Sequence, residues 1–249
     1  MIASDALHLA LIALIFLLAG MVKGVTGMGL PTVAMGLLGS FMAPPVAAAL
    51  LVVPSFVTNV WQLAAGPSLR GLARRLWPMM AGIIVGTVAG TGMLTGGATP
   101  WTAAALGVAL ILYALVSLGT WNWRVTLRSE RWLTLPIGLA TGAVTGATGV
   151  FVIPAVPYLQ ALGLSRDDLV QALGLSFTVS TIALAVGLAD GGALASDKLL
   201  ASTMALAPAV IGMVLGQRIR AVISARTFRR WFLVCLLGLG AQLVLRAIV

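Results

Sequence analysis

Residues 22–31 read VKGVTGMGLP. The stretch sets a lysine, three glycines and a proline at the end of an apolar run reaching back to about residue 6. Glycine weakens a helix interior by about 1 kcal/mol relative to alanine, and proline removes a backbone donor. No helix passes through such a stretch undisturbed. What matters is which kind of fold keeps an interruption like this inside so much apolar sequence.

The flanking sequence decides the class. Of 249 residues, 60% are hydrophobic and only 8% are charged, with a mean hydropathy of +1.10. Soluble domains carry about 25% charged residues. Between Lys23 and Arg70 lie 46 uncharged residues, and between Arg75 and Arg124 lie 48. A membrane span takes about 20 apolar residues, so each interval holds two passes. The fold class is all-α, a polytopic helical membrane protein. A barrel is disfavoured, because barrel strands alternate apolar and polar residues whereas these runs are apolar throughout.

The charged residues punctuate the chain into ten segments, at about 6–22, 27–41, 46–65, 77–94, 102–119, 133–148, 150–163, 169–189, 199–216 and 231–247. The interval from Trp132 to Ser165 reads as a hairpin of two short helices, broken near Thr148–Gly149 and bent by Pro154 and Pro157. Ten segments place 13 basic residues on one side: Lys23, Arg70, Arg74, Arg75, Arg124, Arg128, Arg131, Arg166, Arg218, Arg220, Arg226, Arg229 and Arg230. Only Lys198 and Arg246 fall on the other. The positive-inside rule then puts the basic loops in the cytoplasm, with both termini outside. Trp61, Trp77, Trp101, Trp121, Trp123, Trp132 and Trp231 all stand near segment ends, where amphipathic rings settle. The net charge of +9 sits in these loops, so it reads as topology and not as a nucleic-acid surface. The first apolar run has no basic leader and reads as a retained span. Cys235 is alone, which leaves no disulfide framework and no cysteine metal site.

The chain also resembles itself at about half its length. Val25-Thr26-Gly27 recurs as Val144-Thr145-Gly146, and Ser55-Phe56 recurs as Ser176-Phe177. The run from Ile84 to Gly90 recurs from Val210 to Gly216. Residues 1–125 and 126–249 therefore read as two repeats of one membrane transport domain. Five segments per repeat is an odd number, so the second repeat enters the membrane from the opposite side. Inverted repeats of this kind are the architecture of many secondary transporters, with the site near the midplane at broken helices.

The paired breaks run from Gly24 to Gly29 and from Gly142 to Gly149. Glycine allows backbone to approach a ligand, a helix starting there offers free N–H groups, and threonine adds a hydroxyl. Two such breaks meeting from opposite repeats would cradle a small anion. Close helix packing is the competing explanation for each glycine cluster. It is the preferred one for the pairs Gly86/Gly90 and Gly212/Gly216. Lys23 is either the anion's counter-charge or a residue snorkelling to the inner interface. After each break comes a polar stripe at helical spacing: Ser55, Thr58, Asn59 and Gln62 in one repeat, and Ser176, Ser180 and Thr181 in the other. Such a stripe lines a path or joins helices. Asp5, Glu130, Asp167, Asp168, Asp190 and Asp197 all fall at segment ends or loops, and His8 lies near the outer end of the first segment. A carboxylate proton relay and a membrane enzyme both lack the residues they need, so no enzymatic activity, cofactor or metal is expected.

K-G-V-T-G-M-G-L-P after a first span, the turn at Pro44-Pro45, and a second glycine-rich break followed by proline resemble the sulfite exporter TauE/SafE family. The resemblance runs through both repeats. Leu30 and Pro31 follow Gly29 directly, where the family carries a fuller glycine run. The resemblance implies a secondary transporter of the bacterial inner membrane, an exporter of sulfite, an organosulfonate or a related small organic acid, and the inverted repeats add alternating access as its mode of working. It implies that Lys23, Thr26, Gly27 and Gly29 surround the anion together with Thr145, Gly146, Thr148 and Gly149. Ser55, Asn59, Ser176 and Ser180 join them as candidate path residues. The expected partners are the small anion and the lipid bilayer, with proton coupling and a homodimer as further expectations and no nucleic acid. An anion channel on the same scaffold, or a membrane scaffold without flux, are the alternatives.

Overall fold

A computed structural model describes residues 2–96, 100–119, 124–220 and 224–248. Among them are ten helices and no strand. They are α1 (Ile2–Thr26), α2 (Leu30–Leu38), α3 (Pro44–Ala64), α4 (Leu69–Thr95), α5 (Pro100–Leu118), α6 (Leu127–Thr148), α7 (Ala155–Ala161), α8 (Arg166–Asp190), α9 (Ser196–Ile219) and α10 (Ala225–Ile248). Seven of these, α1, α3, α4, α5, α8, α9 and α10, contain stretches long and apolar enough to cross a membrane. Trp61, Trp77, Trp101, Trp132 and Trp231 all point outward, and Trp101 and Trp132 are about four-fifths exposed (82% and 80%). Trp121 and Trp123 lie outside the described residues.

The expected hairpin of two short helices is corrected in its first arm. α6 has 22 residues, about 33 Å at 1.5 Å per residue, which matches a hydrocarbon core of about 30 Å. Its charged opening, Leu127 to Trp132, lengthens it on the N-terminal side, where the Thr126 hydroxyl caps the Ser129 amide. α2 and α7 are the short elements, with 9 and 7 residues, too short to cross alone.

Glycine rows show which helices touch backbone to backbone. On α4, a Cβ at Gly86 would lie 2.3 Å from the Leu139 carbonyl oxygen; on α6, one at Gly142 would lie 2.3 Å from that of Ile83. α1 and α9 meet in the same manner: a Cβ at Gly24 would lie 2.2 Å from the Met213 oxygen, and one at Gly216 would lie 2.2 Å from that of Met21. Both pairs run parallel, since Gly82, Gly86 and Gly90 meet Leu135, Leu139 and Ala143 in order. Likewise Leu17 and Met21 meet Gly212 and Gly216.

Relative directions of the remaining helices follow from their contacts. α4 and α8 are parallel, with Thr91 against Gly187 and Thr95 against Gly191. α3 and α8 are antiparallel, because Gln62 donates to the Val170 carbonyl whereas Asn59 reaches Thr181. The tight turn at Gly191–Gly192 reverses the chain into α9. Since α1 runs with α9, it runs against α8 and α6 and with α3. Residues 27–43, which hold α2, must then carry the chain back across between α1 and α3. Residues 149–165, which hold α7, do the same between α6 and α8. Under the exchange of α1 to α5 with α6 to α10, the main pairings map onto one another: α1–α9 onto α4–α6, and α3–α9 onto α4–α8. The pairs α3–α8 and α5–α10 map onto themselves.

Candidate functional site

α1 does not stop at Lys23. It continues one turn further to Thr26 and ends where Gly27 takes φ 78°. The Thr26 hydroxyl donates to the carbonyls of Val22 (2.8 Å) and Met28 (2.6 Å) and accepts from the Met28 amide. α6 ends in the same way. The Thr148 hydroxyl donates to the Val144 carbonyl at 2.7 Å, accepts from the Val150 amide, and is followed by Gly149 at φ 71°. The matching residues of the two helix ends are therefore Thr26-Gly27 and Thr148-Gly149, one helical turn away from the Val-Thr-Gly match in the sequence. In this register Gly24 pairs with Gly146, and Lys23 with Thr145.

The two ends have different immediate neighbours. A Cβ on Gly149 would touch Met35 of α2 and Ala48 of α3, while one on Gly29 would touch Val22 and Phe232. Gly146 is occupied by packing: a Cβ there would lie 2.4 Å from the Thr87 carbonyl oxygen of α4. Thr145 donates to the Thr141 carbonyl at 2.7 Å. At Gly27 a Cβ would meet nothing within 4 Å, so open space adjoins the first helix end.

Lys23 is the centre of a buried polar cluster. It is only 4% exposed. Its ammonium donates to the Thr58 hydroxyl at 3.1 Å and to Asn59 Oδ1, both on α3. The Thr58 hydroxyl donates to the Pro54 carbonyl at 2.7 Å, which leaves its oxygen to accept from Lys23. Asn59 Nδ2 donates to Thr181 Oγ1 at 3.4 Å, and Thr181 donates to the Phe177 carbonyl at 2.7 Å. The hydrogen bonds thus point away from the ammonium, through α3, into α8. An ammonium carries three N–H groups, and the described residues accept from two. No carboxylate pairs with it: among the described residues, the ion pair is Arg75–Glu130.

The polar stripe of α3 behaves as one face, with Asn59 and Gln62 turned to α8 and Thr58 to α1. The stripe of α8 is split. Ser176 and Ser180 share their row with Gly187 and Gly191, which meet α4. Thr181 and Gly174 face α3 instead. Ser55, Ser176 and Ser180 are fully buried, and their hydroxyls have no partner among the described residues. The same is true of Thr32, in the first turn of α2, which is 0% exposed. Nothing in its sequence context singles Thr32 out, since it stands among the apolar residues of LPTVAM. α2 begins at Leu30, and its N-cap Gly29 packs on Val22 beside Lys23. The N-terminus of α2, a concentration of free N–H groups with a partial positive charge, therefore adjoins the last turns of α1 on the Val22 side.

The sulfite exporter TauE/SafE family model matches residues 12–243, from within α1 to within α10. Comparison with curated proteins and with solved structures finds no match.

Proposed function

Since the chain belongs to the sulfite exporter TauE/SafE family, a family of membrane transporters, we propose that it exports a small oxyanion, sulfite or an organosulfonate, with Lys23 as the counter-charge. The observation that carries this reading is the ammonium of Lys23, buried inside a membrane-spanning bundle with only neutral oxygens as partners. An intramembrane charge is costly, and such residues mark substrate pathways. A transported anion removes that cost while it is bound. Thr58 and Asn59 aim the ammonium, which leaves its remaining N–H for the anion. The unpartnered Thr32 hydroxyl and the α2 N-terminus supply neutral donors.

Alternating access between two inverted five-helix repeats is the mechanism we assign. It is supported by the opposite directions of α1 and α6 and of α3 and α8. It is also supported by the interchange of helix pairs between halves and by the twin Thr-Gly helix ends. The charge of the basic loops supports their placement in the cytoplasm, and the bacterial inner membrane is assigned by analogy with the family. The structure contributes the lysine and its partners, and sulfite as the cargo comes from the family.

Counterflow of labelled sulfite in proteoliposomes tests the reading. Lys23→Met should cut flux by at least about tenfold at equal protein incorporation, the loss of one charge-assisted contact in a buried site. Flux within twofold of wild type would overturn the assignment. Saturable counterflow separates a carrier from a channel, which would show conductance steps instead.

A further inference from the structure

A second cationic site lies away from Lys23. A cavity of about 820 Å³ opens where the C-terminal end of α5, the end of α7 and the first turns of α10 converge. Arg124 and Arg229 both line it, together with Gln160, Leu115 and Val116, and no acidic residue is among its lining. The Arg229 Nε–H is buried and has no hydrogen-bond partner among the described residues. Arg124 is held at the rim by its neighbour, since the Val125 amide donates to the Ala161 carbonyl at 2.9 Å. Leu115 and Val116, on the last turns of a membrane-spanning helix, are 53% and 40% exposed.

A bare oxyanion would fill only a small part of this cavity. Pockets of about 300–1,000 Å³ take molecules of drug size, far larger than a four-atom anion. Two arginines and exposed aliphatic side chains in one lining suit a ligand with an anionic head and an apolar tail. Guanidinium is suited to bidentate phosphate contacts, and basic pockets between membrane helices hold lipid headgroups. We propose that this cavity binds an anionic phospholipid, its phosphodiester on Arg124 and Arg229 and an acyl chain along Leu115 and Val116. The site rests on the membrane-spanning fold and not on the cargo assigned above, so either can fail alone.

The full-length protein in phosphatidylcholine-containing micelles provides the test, read by native mass spectrometry and thermal melting. Phosphatidylglycerol should bind and raise the melting temperature, whereas added phosphatidylcholine should not. Arg124→Gln, an exposed position whose replacement leaves the packed core untouched, should weaken phosphatidylglycerol binding about fivefold, the worth of one basic residue at a lipid surface. Arg124→Gln combined with Arg229→Gln should abolish it while melting in phosphatidylcholine alone stays as in wild type. Undiminished phosphatidylglycerol binding in Arg124→Gln would overturn the proposal. So would inorganic phosphate or sulfite producing the same stabilisation with the same loss in the variants, because the site would then hold a free anion.

Discussion

At the scale of single residues, the cluster around Lys23 makes a prediction that separates a transport role from a structural one. Asn59→Asp would place a carboxylate against the ammonium that Asn59 Oδ1 now accepts from. A lysine serving only to hold α1 against α3 would tolerate this change, since the contact becomes an ion pair. A lysine serving as the counter-charge would be neutralised from within. We expect flux to fall at least about tenfold with no loss of melting temperature, read by sulfite counterflow and thermal melting of one preparation. Ser202 offers a contrasting case with no part in the site. Pro54 inside α3 lacks the N–H that would bond the Leu50 carbonyl. The Ser202 hydroxyl of α9 donates to that carbonyl at 2.8 Å and accepts from the Val53 amide at 3.1 Å. Ser202→Ala should cost about 1–3 kcal/mol, the range for leaving a buried polar group unsatisfied, and leave the affinity for sulfite unchanged. The polar positions of α3 were legible in the sequence through their spacing. Their partners were not, because hydrogen-bond geometry across helices depends on rotation about each axis. That is also why Ser176 and Ser180 part from Thr181 and why Thr32 escaped notice.

At the scale of elements, the glycine rows set helix separation. A methyl at Gly142 would lie 2.3 Å from the Ile83 oxygen and 2.7 Å from the Thr87 nitrogen, and neither backbone atom can move without moving α4. Gly142→Ala should therefore lower stability by about 1–3 kcal/mol, seen as an earlier melting transition, as expected for overpacking. Gly238 sits mid-helix in α10 with nothing within 4 Å of an added Cβ. Gly238→Ala should leave the transition unchanged or raise it; a drop equal to that of Gly142→Ala would refute the packing account. The pairs Gly86/Gly90 and Gly212/Gly216 announced this role through their spacing. The breaks announced their existence too, but their register did not. A Val-Thr-Gly match in a chain rich in these residues aligned Thr26 with Thr145, whereas the helix ends align it with Thr148. Left-handed glycines and capping hydroxyls are conformational facts, invisible to letter matching. Arg75 and Glu130 were also missed as a pair, joined by two contacts of 2.6 and 2.7 Å between α4 and α6. Glu130 does stand at a segment end, in the first turn of α6, and is buried there beside Arg75 of α4.

At the scale of the whole molecule, charge distribution and helix direction lead to one testable topology. If residues 27–43 and 149–165 each return the chain across the membrane, ten passes would place both termini on one face, opposite the basic loops. Single cysteines introduced near residues 3 and 247, in a chain with Cys235→Ser, should both react with an impermeant maleimide added outside intact cells. A cysteine replacing Ser68 should react only after lysis. Opposite labelling of the two ends would require an odd number of passes and would dismantle the repeat. The all-helical class and the number of segments were readable from composition and charge, since a bilayer permits few alternatives. The lengths of α4 and α6 were not, because charged residues that read as loop continue the helices beyond the apolar run.

The paired helix ends carry one last implication. Thr26-Gly27 and Thr148-Gly149 share their capping bonds to the carbonyl four residues back and the amide two residues on, yet three residues upstream one end presents a lysine and the other a threonine already donating to its own helix. Two helix ends sharing one backbone plan thus differ at this position by a lysine against a neutral hydroxyl. A carrier whose halves traded places would have two end states of equal energy only if they were chemically alike. If the halves exchange roles during transport, a lysine at one helix end and a threonine at the other would make the two end states unequal before any gradient is applied.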